Sequence, residues 1–137
     1  MHRRFVISWR HALQSGAALE PEVSAATVSW LIRARRERAR FLSPDLLTDP
    51  AWDMLLDLLY AELANKPVSV SSVCIASGAA QSTGLRWLKT LEQRGLVVRK
   101  FDACDGRRNF VELSPDTSKA LRRYIRETVE PHRAGEQ

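Results

Sequence analysis

Two β-forming runs, Leu96-Val97-Val98-Arg99-Lys100-Phe101 and Asn109-Phe110-Val111-Glu112-Leu113, flank the polar segment Asp102-Ala103-Cys104-Asp105-Gly106-Arg107-Arg108. Branched and aromatic residues on both sides of a tip that contains glycine predict a β-hairpin. Upstream, Ser69 to Ser77 and Gln81 to Gln93 read as two helices separated by a turn at Gly78, the second ending at Gly95. Two helices at an angle, then a hairpin with a basic tip, are the plan of a winged helix-turn-helix, whose second helix is shaped to lie in a DNA groove. The stretch from Pro67 to Ser114 therefore organises what the rest of the chain can be.

The same residues carry a resemblance. Leu91 to Val97 reads Leu-Glu-Gln-Arg-Gly-Leu-Val, with Arg99 two places on, then Asp105-Gly106-Arg107 and Val111-Glu112-Leu113-Ser114. This resembles the MarR family of bacterial winged-helix transcription regulators, whose wing pattern is Asp-x-Arg followed by Val-x-Leu-Thr or Ser. In element order the resemblance extends over residues 41–130, and its informative motifs lie in the second half of that range. The chain departs from the family pattern at Gly84, where a branched core residue is usual, at Ala80, where Ser or Thr often caps the recognition helix, and at Thr117, where Gly commonly follows the wing.

A chain of 137 residues with 45% hydrophobic content suits one core. The expected fold is mainly α with a small β-hairpin wing: an N-terminal arm over 1–20, then a single winged-helix domain over 21–137, with its core at 49–114 and flanking dimerisation helices. No apolar run approaches the ~20 residues of a membrane span, and the opening Met1 to Arg10 lacks the apolar core of a signal peptide, so a soluble cytoplasmic protein without a membrane partner is expected. Cys74 and Cys104 have neither Cys-x-x-Cys nor zinc-type His spacing and read as inert thiols, with redox sensing as a second reading for Cys104 beside Arg107 and Arg108. No metal or cofactor is implied. Nor is an enzyme: His2, His11 and His132 lie near the termini, and no Ser-His-Asp set, carboxylate pair or phosphate-cradling glycine loop can be placed.

The net charge of +5 is unevenly spread. Residues 1–40 hold eight basic and three acidic side chains, 41–80 hold one and five, and 81–108 hold seven and three. Positive charge thus sits on the N-terminal part and on the presumed reading elements, which favours a polyanionic partner.

In chain order, the arm mixes apolar and basic residues, and Phe5 and Trp9 make it apolar enough to pack on a partner. A helix is expected from Glu20-Pro21-Glu22 to Phe41, with an apolar stripe of Val23, Ala26, Trp30, Leu31, Ala34 and Phe41. Its last-turn arginines, Arg35, Arg36, Arg38 and Arg40, suit the helix dipole and form either a solvated face or phosphate contacts. Asp49-Pro50 should cap a core helix on which Trp52, Leu55, Leu56, Leu59 and Leu63 recur at helical spacing. Val68 can add a third strand, Ser69 caps the next helix, and Val73, Cys74 and Ser77 face inward with Ile75 outward.

On the reading helix 81–93, Trp87, Leu88 and Leu91 are expected in the core. Gln81, Ser82, Thr83, Leu85, Arg86 and Lys89 are expected outside. Gln can bond adenine, Arg can bond guanine, hydroxyls take phosphates or bases, and Leu can meet a thymine methyl. In the wing 102–108, Arg107 and Arg108 project where a narrow minor groove would attract a guanidinium. The resemblance makes Arg107 the groove residue and Asp105 the carboxylate that orients a nearby Arg.

From Ser114-Pro115-Asp116 a last helix should run to about Glu130, with Ala120, Leu121, Tyr124, Ile125 and Thr128 on one face and Arg122, Arg123 and Arg126 opposite. With the first helix it offers a dimer interface at Trp30, Leu31, Leu121, Tyr124 and Ile125. The function expected is sequence-specific binding of double-stranded DNA by a homodimeric transcription regulator. The alternative is a winged-helix module for protein–protein assembly. The resemblance further implies a small-molecule effector, which the residues do not identify.

Overall fold

The computed structural model describes residues 22–101 and 109–134. The arm 1–20, Cys104 and the wing residues Asp105, Arg107 and Arg108 lie outside that set.

The chain is a helical assembly around α2 (Pro50–Leu63), which packs against α1 (Ala25–Glu37), α3 (Val70–Ala76), α4 (Gln81–Gln93) and the strand β3 (Asn109–Leu113). Met54, Leu56, Leu58 and Leu59 of α2 are buried, and Trp52, Leu55 and Leu63 are half-buried, so this helix is apolar nearly all round. Pro50 stands in its first turn, but Asp49 makes no capping bond; its carboxylate lies instead 3.8 Å from the Arg35 guanidinium. At the other end Asn65 takes a left-handed φ of 58°, with Lys66 N donating to Ala61 O and Asn65 N to Glu62 O. That paired closure satisfies the last carbonyls of the helix. Gly95 closes α4 the same way at φ 74°, with Leu96 N donating to Leu91 O.

The first helix among the described residues differs from expectation at its start; of the residues expected there, Glu20 and Pro21 lie outside the described set. Ser24 accepts from Ala26 N at 3.1 Å, so the hydroxyl sets the N-terminus at Ala25, while Glu22 stands outside the helix and pairs with Arg122. The buried face is also rotated. Thr27 and Val28 are buried and Leu31 and Ile32 half-buried, whereas Ala26, Ala34 and Phe41 of the expected stripe are exposed. Nor do the arginines form a uniform solvated face. Arg35 Nε donates to Asp53 Oδ1 at 2.6 Å, and Arg38 bonds the Arg35 and Leu47 carbonyls, tying down the loop between α1 and α2.

The sheet is antiparallel in the order β1 (Val68–Ser69), β3, β2 (Val97–Phe101). Val97 pairs with Leu113 and Phe101 with Asn109, and the third strand expected at Val68 pairs with Val111. Ser69 caps α3 by accepting from Ser72 N. Ser77 is fully buried yet satisfied, donating to Cys74 O at 2.5 Å and accepting from Ala79 N at 3.2 Å.

After β3, Ser114 accepts from Thr117 N and α5 (Pro115–Tyr124) begins with Pro115 in its first turn. The helix widens into a π turn at Ile125–Val129 and resumes as α6 (Glu130–Ala134). Pro131 accounts for this, since it has no N–H to donate and its ring would collide with the carbonyl four residues earlier. Arg122, expected on the solvent face, is instead mostly buried between Glu62 and Glu22. Among the described residues no helix is long and apolar enough to cross a membrane.

Candidate nucleic-acid interface

α4 rests on the core through Gly84, Leu88 and Leu91, all buried. Gly84 is what allows α3 and α4 to approach: a Cβ there would lie 3.1 Å from Cys74 Cβ, 3.2 Å from Cys74 O and 3.2 Å from Ser77 Oγ. The departure from a branched residue at this position is therefore matched by a close helix contact.

The opposite face of α4 is free. Gln81, Ser82, Arg86 and Lys89 are exposed, Thr83 is half-buried, and Leu85 is 39% exposed. With about 100° per residue, Ser82, Arg86 and Lys89 fall on one stripe about 60° wide. Gln93 is exposed on the same stripe and was not among the expected reading residues; its spacing from Ser82, Arg86 and Lys89 is the signal that finds it. Trp87 is corrected. It is 40% exposed, on the shoulder between the core contacts and Thr83, because Gly84 and Leu88 already occupy the centre of the buried face.

Electrostatics separate the cations of this segment into two groups. Arg99 lies 3.3 Å from Glu92 Oε2, and Lys100 lies 3.7 Å from Glu112 Oε1. Arg86 and Lys89, by contrast, have no acidic partner among the described residues, so their charge faces solvent. Ala80, the N-cap of α4, brings no capping side chain, and the first-turn amides are left for water or an anionic oxygen.

The expected interface residues divide. Leu121 and Ile125 lie inside the chain's own core. Trp30 and Leu31 are half-buried, with the Arg133 guanidinium 5.5 Å from the Trp30 ring centre. Tyr124 remains partly exposed and meets Trp52 edge-on at 5.3 Å. A cleft of about 470 Å³ opens between the end of α1, the loop after it, α2 and the end of α3, lined among others by Ile32, Arg35, Leu47, Asp57 and Ile75. Burial raises the Asp57 pKa, with the Arg36 charge opposing it.

No protein-family model matches the sequence, and no curated protein does. Solved structures match in fold. S. aureus MepR in its DNA-binding conformation aligns over 80% of this chain and 83% of that chain, with a TM-score of 0.52 and 20% identity. MepR bound to ethidium bromide aligns over 80% of this chain and 74% of that one, with a TM-score of 0.50 and 17% identity. NadR in complex with 4-hydroxyphenylacetate aligns over 96% of this chain and 75% of that chain, with a TM-score of 0.51 and 21% identity. The fold of this chain is the winged helix-turn-helix of the MarR-like regulators.

Proposed function

We propose that this protein is a sequence-specific DNA-binding transcription regulator that acts as a homodimer. The observation that carries the reading is the exposed stripe on α4, where Arg86 and Lys89 have no acidic partner among the described residues, on a helix whose other face is locked to the core. In this reading Gln81, Ser82, Thr83 and Arg86 meet base edges in the major groove, and Lys89 meets phosphate. The wing 102–108 lies on the minor groove, with Arg107 and Arg108 as its cations and Asp105 orienting a neighbouring Arg. Dimerisation through the exposed parts of α1 and the C-terminal helix, at Trp30, Leu31 and Tyr124, presents two reading helices to a pseudopalindromic site. A small-molecule effector is part of the proposal, supported by the cleft beside α1 and by the ligands bound to MepR and NadR.

The test is selection of a preferred sequence from random duplex DNA, followed by titration of single-base variants with wild type and Arg86→Ala. The variant should lose about 1–3 kcal/mol on the preferred site, lose less on unrelated duplexes, and relax preference at one or two positions per half-site. An unchanged preference profile removes Arg86 from the reading set. Arg107→Ala should weaken specific and unrelated duplexes alike and make the salt slope shallower by about one counterion per wing.

Leu85 and Trp87, apolar and partly exposed on the same helix, favour a second reading as a protein-assembly surface. Failure to retain any duplex at low salt would select it.

A further inference from the structure

The loop that joins α1 to α2 is bonded in place, yet it turns its largest side chains to solvent. Two short 3-10 turns, Arg38–Arg40 and Pro44–Leu46, shape it. Phe41 N and Leu42 N donate to Arg38 O, Leu46 N donates to Ser43 O, and Leu47 N donates to Pro44 O. On this frame Phe41 is 77% exposed, Leu42 61% and Leu46 79%. Pro44 and Leu47 line one side of the cleft of about 470 Å³, and across it Ile75 of α3 is 74% exposed. Exposed apolar residues are ordinary when scattered, but four gathered on one held loop and the rim it faces mark a surface that something covers.

The charge beside these residues narrows what fits. Between Phe41 and Asp57 stand Asp45, Asp49, Asp53 and Asp57 and no basic residue. Asp53 is held by Arg35, whereas Asp45 and Asp49 are exposed, and Asp45 accepts from the Ser43 hydroxyl without a cation at ion-pair distance among the described residues. Of the arginines at the end of α1, Arg40 pairs with Glu37, Arg38 is turned to backbone carbonyls, and the Arg36 charge acts on Asp57. An apolar rim with exposed acids suits an occupant that is apolar and basic, and it repels a phosphate backbone.

The chain carries such a segment. Its residues 1–20 hold Phe5, Val6, Ile7, Trp9 and Leu13, with Arg3, Arg4 and Arg10 against the one acid Glu20. Reach is sufficient, because the stretch from Trp9 to Glu22 spans roughly 40 Å when extended, while α1 from Ala25 to the loop at Phe41 is about 25 Å long.

We propose that the N-terminal arm 1–20 docks on its own chain, with the apolar side chains of 5–13 on Phe41, Leu42 and Leu46 and Arg3, Arg4 and Arg10 beside Asp45 and Asp49. The docked arm stands at the mouth of the cleft read above as the effector site. That consequence rests on the effector reading, whereas the docking does not.

The test uses the full chain with a spin label on Ser8→Cys in a Cys104→Ser background, Cys74 being buried. The amide signals of Phe41, Leu42, Leu46 and Leu47 should broaden, and should stay broad when the labelled chain is diluted into an excess of chain without the spin label. Leu46→Ser, at a position the core does not use, should abolish the broadening. In Phe5→Ser/Trp9→Ser, hydrogen-exchange protection of the same amides should fall about tenfold while α2 and α4 keep theirs. Sharp signals in the labelled chain, or exchange that the arm variant leaves unchanged, overturn the proposal. Broadening that dilution removes assigns the arm to a partner chain and overturns docking on its own. Protection that rises with protein concentration in wild type and arm variant alike gives the loop to a second copy and overturns it as well.

Discussion

Gly84 and Cys74 bring the two helices of the reading motif into contact: the Cβ that Gly84 lacks would stand 3.1 Å from Cys74 Cβ. Gly84→Val adds a branched side chain against a backbone carbonyl and a buried hydroxyl as well. Valine should lower stability by about 1–3 kcal/mol through overpacking, measured as a reduced urea midpoint at unchanged slope. Cys74→Ala in the same background should not rescue it, because the contact is with Cβ and backbone and not with sulfur.

Arg122 neutralises Glu62 inside the junction of α2 and α5. Arg122→Ala should cost about 3 kcal/mol at neutral pH by leaving a buried carboxylate uncompensated. The loss should shrink toward acid pH, since burial already raises the Glu62 pKa and the neutral acid needs no cation. Equal losses at both pH values would contradict the role given to Arg122.

Glu112 makes a second, global pH prediction. Its pKa is raised from 4.5 to about 7, so the stability it contributes is present in full below 4.5 and is lost as pH rises through about 7. Across that window Glu112→Gln should gain about 1–3 kcal/mol relative to wild type. Chemical denaturation at each end of the window measures it.

Neighbouring residues on α4 should respond differently to truncation. Leu88→Ala removes a fully buried side chain and should cost about 2–5 kcal/mol, whereas Trp87→Ala, at a position 40% exposed, should cost less than half as much. Thermal denaturation of both variants gives the comparison.

The dimer proposal separates surface from core within the residues that the sequence pointed to. Trp30→Glu and Tyr124→Glu should shift sedimentation from dimer to monomer while each chain stays folded. Leu121→Glu and Ile125→Glu should unfold the chain, because both side chains lie in its own core. A folded monomer from Ile125→Glu would place that residue at the interface after all.

Local signals settled most of the element order. The leucine repeat of α2, the hydroxyl caps Ser69 and Ser114, the closure at Gly95 and the β pairing with Val68 were all legible, because each depends on a period or on a residue's own backbone chemistry. The outward set Gln81, Ser82, Arg86 and Lys89 was legible for the same reason, since helical spacing leaves polar residues opposite Leu88 and Leu91. What packs against what was decided only by the tertiary structure. Trp87 moved to the shoulder of α4 because Gly84 drew α3 close. Arg122 turned inward because Glu62, far away in sequence, needed a cation. Leu121 and Ile125 went into the core instead of onto a free surface. The helix α1 began at Ala25 because the Ser24 hydroxyl, and not Glu22, met the free amide of Ala26. Periodicity states which face of an element is apolar, but the partner for that face, and the protonation of an acid buried beneath it, depend on residues brought together from distant parts of the chain.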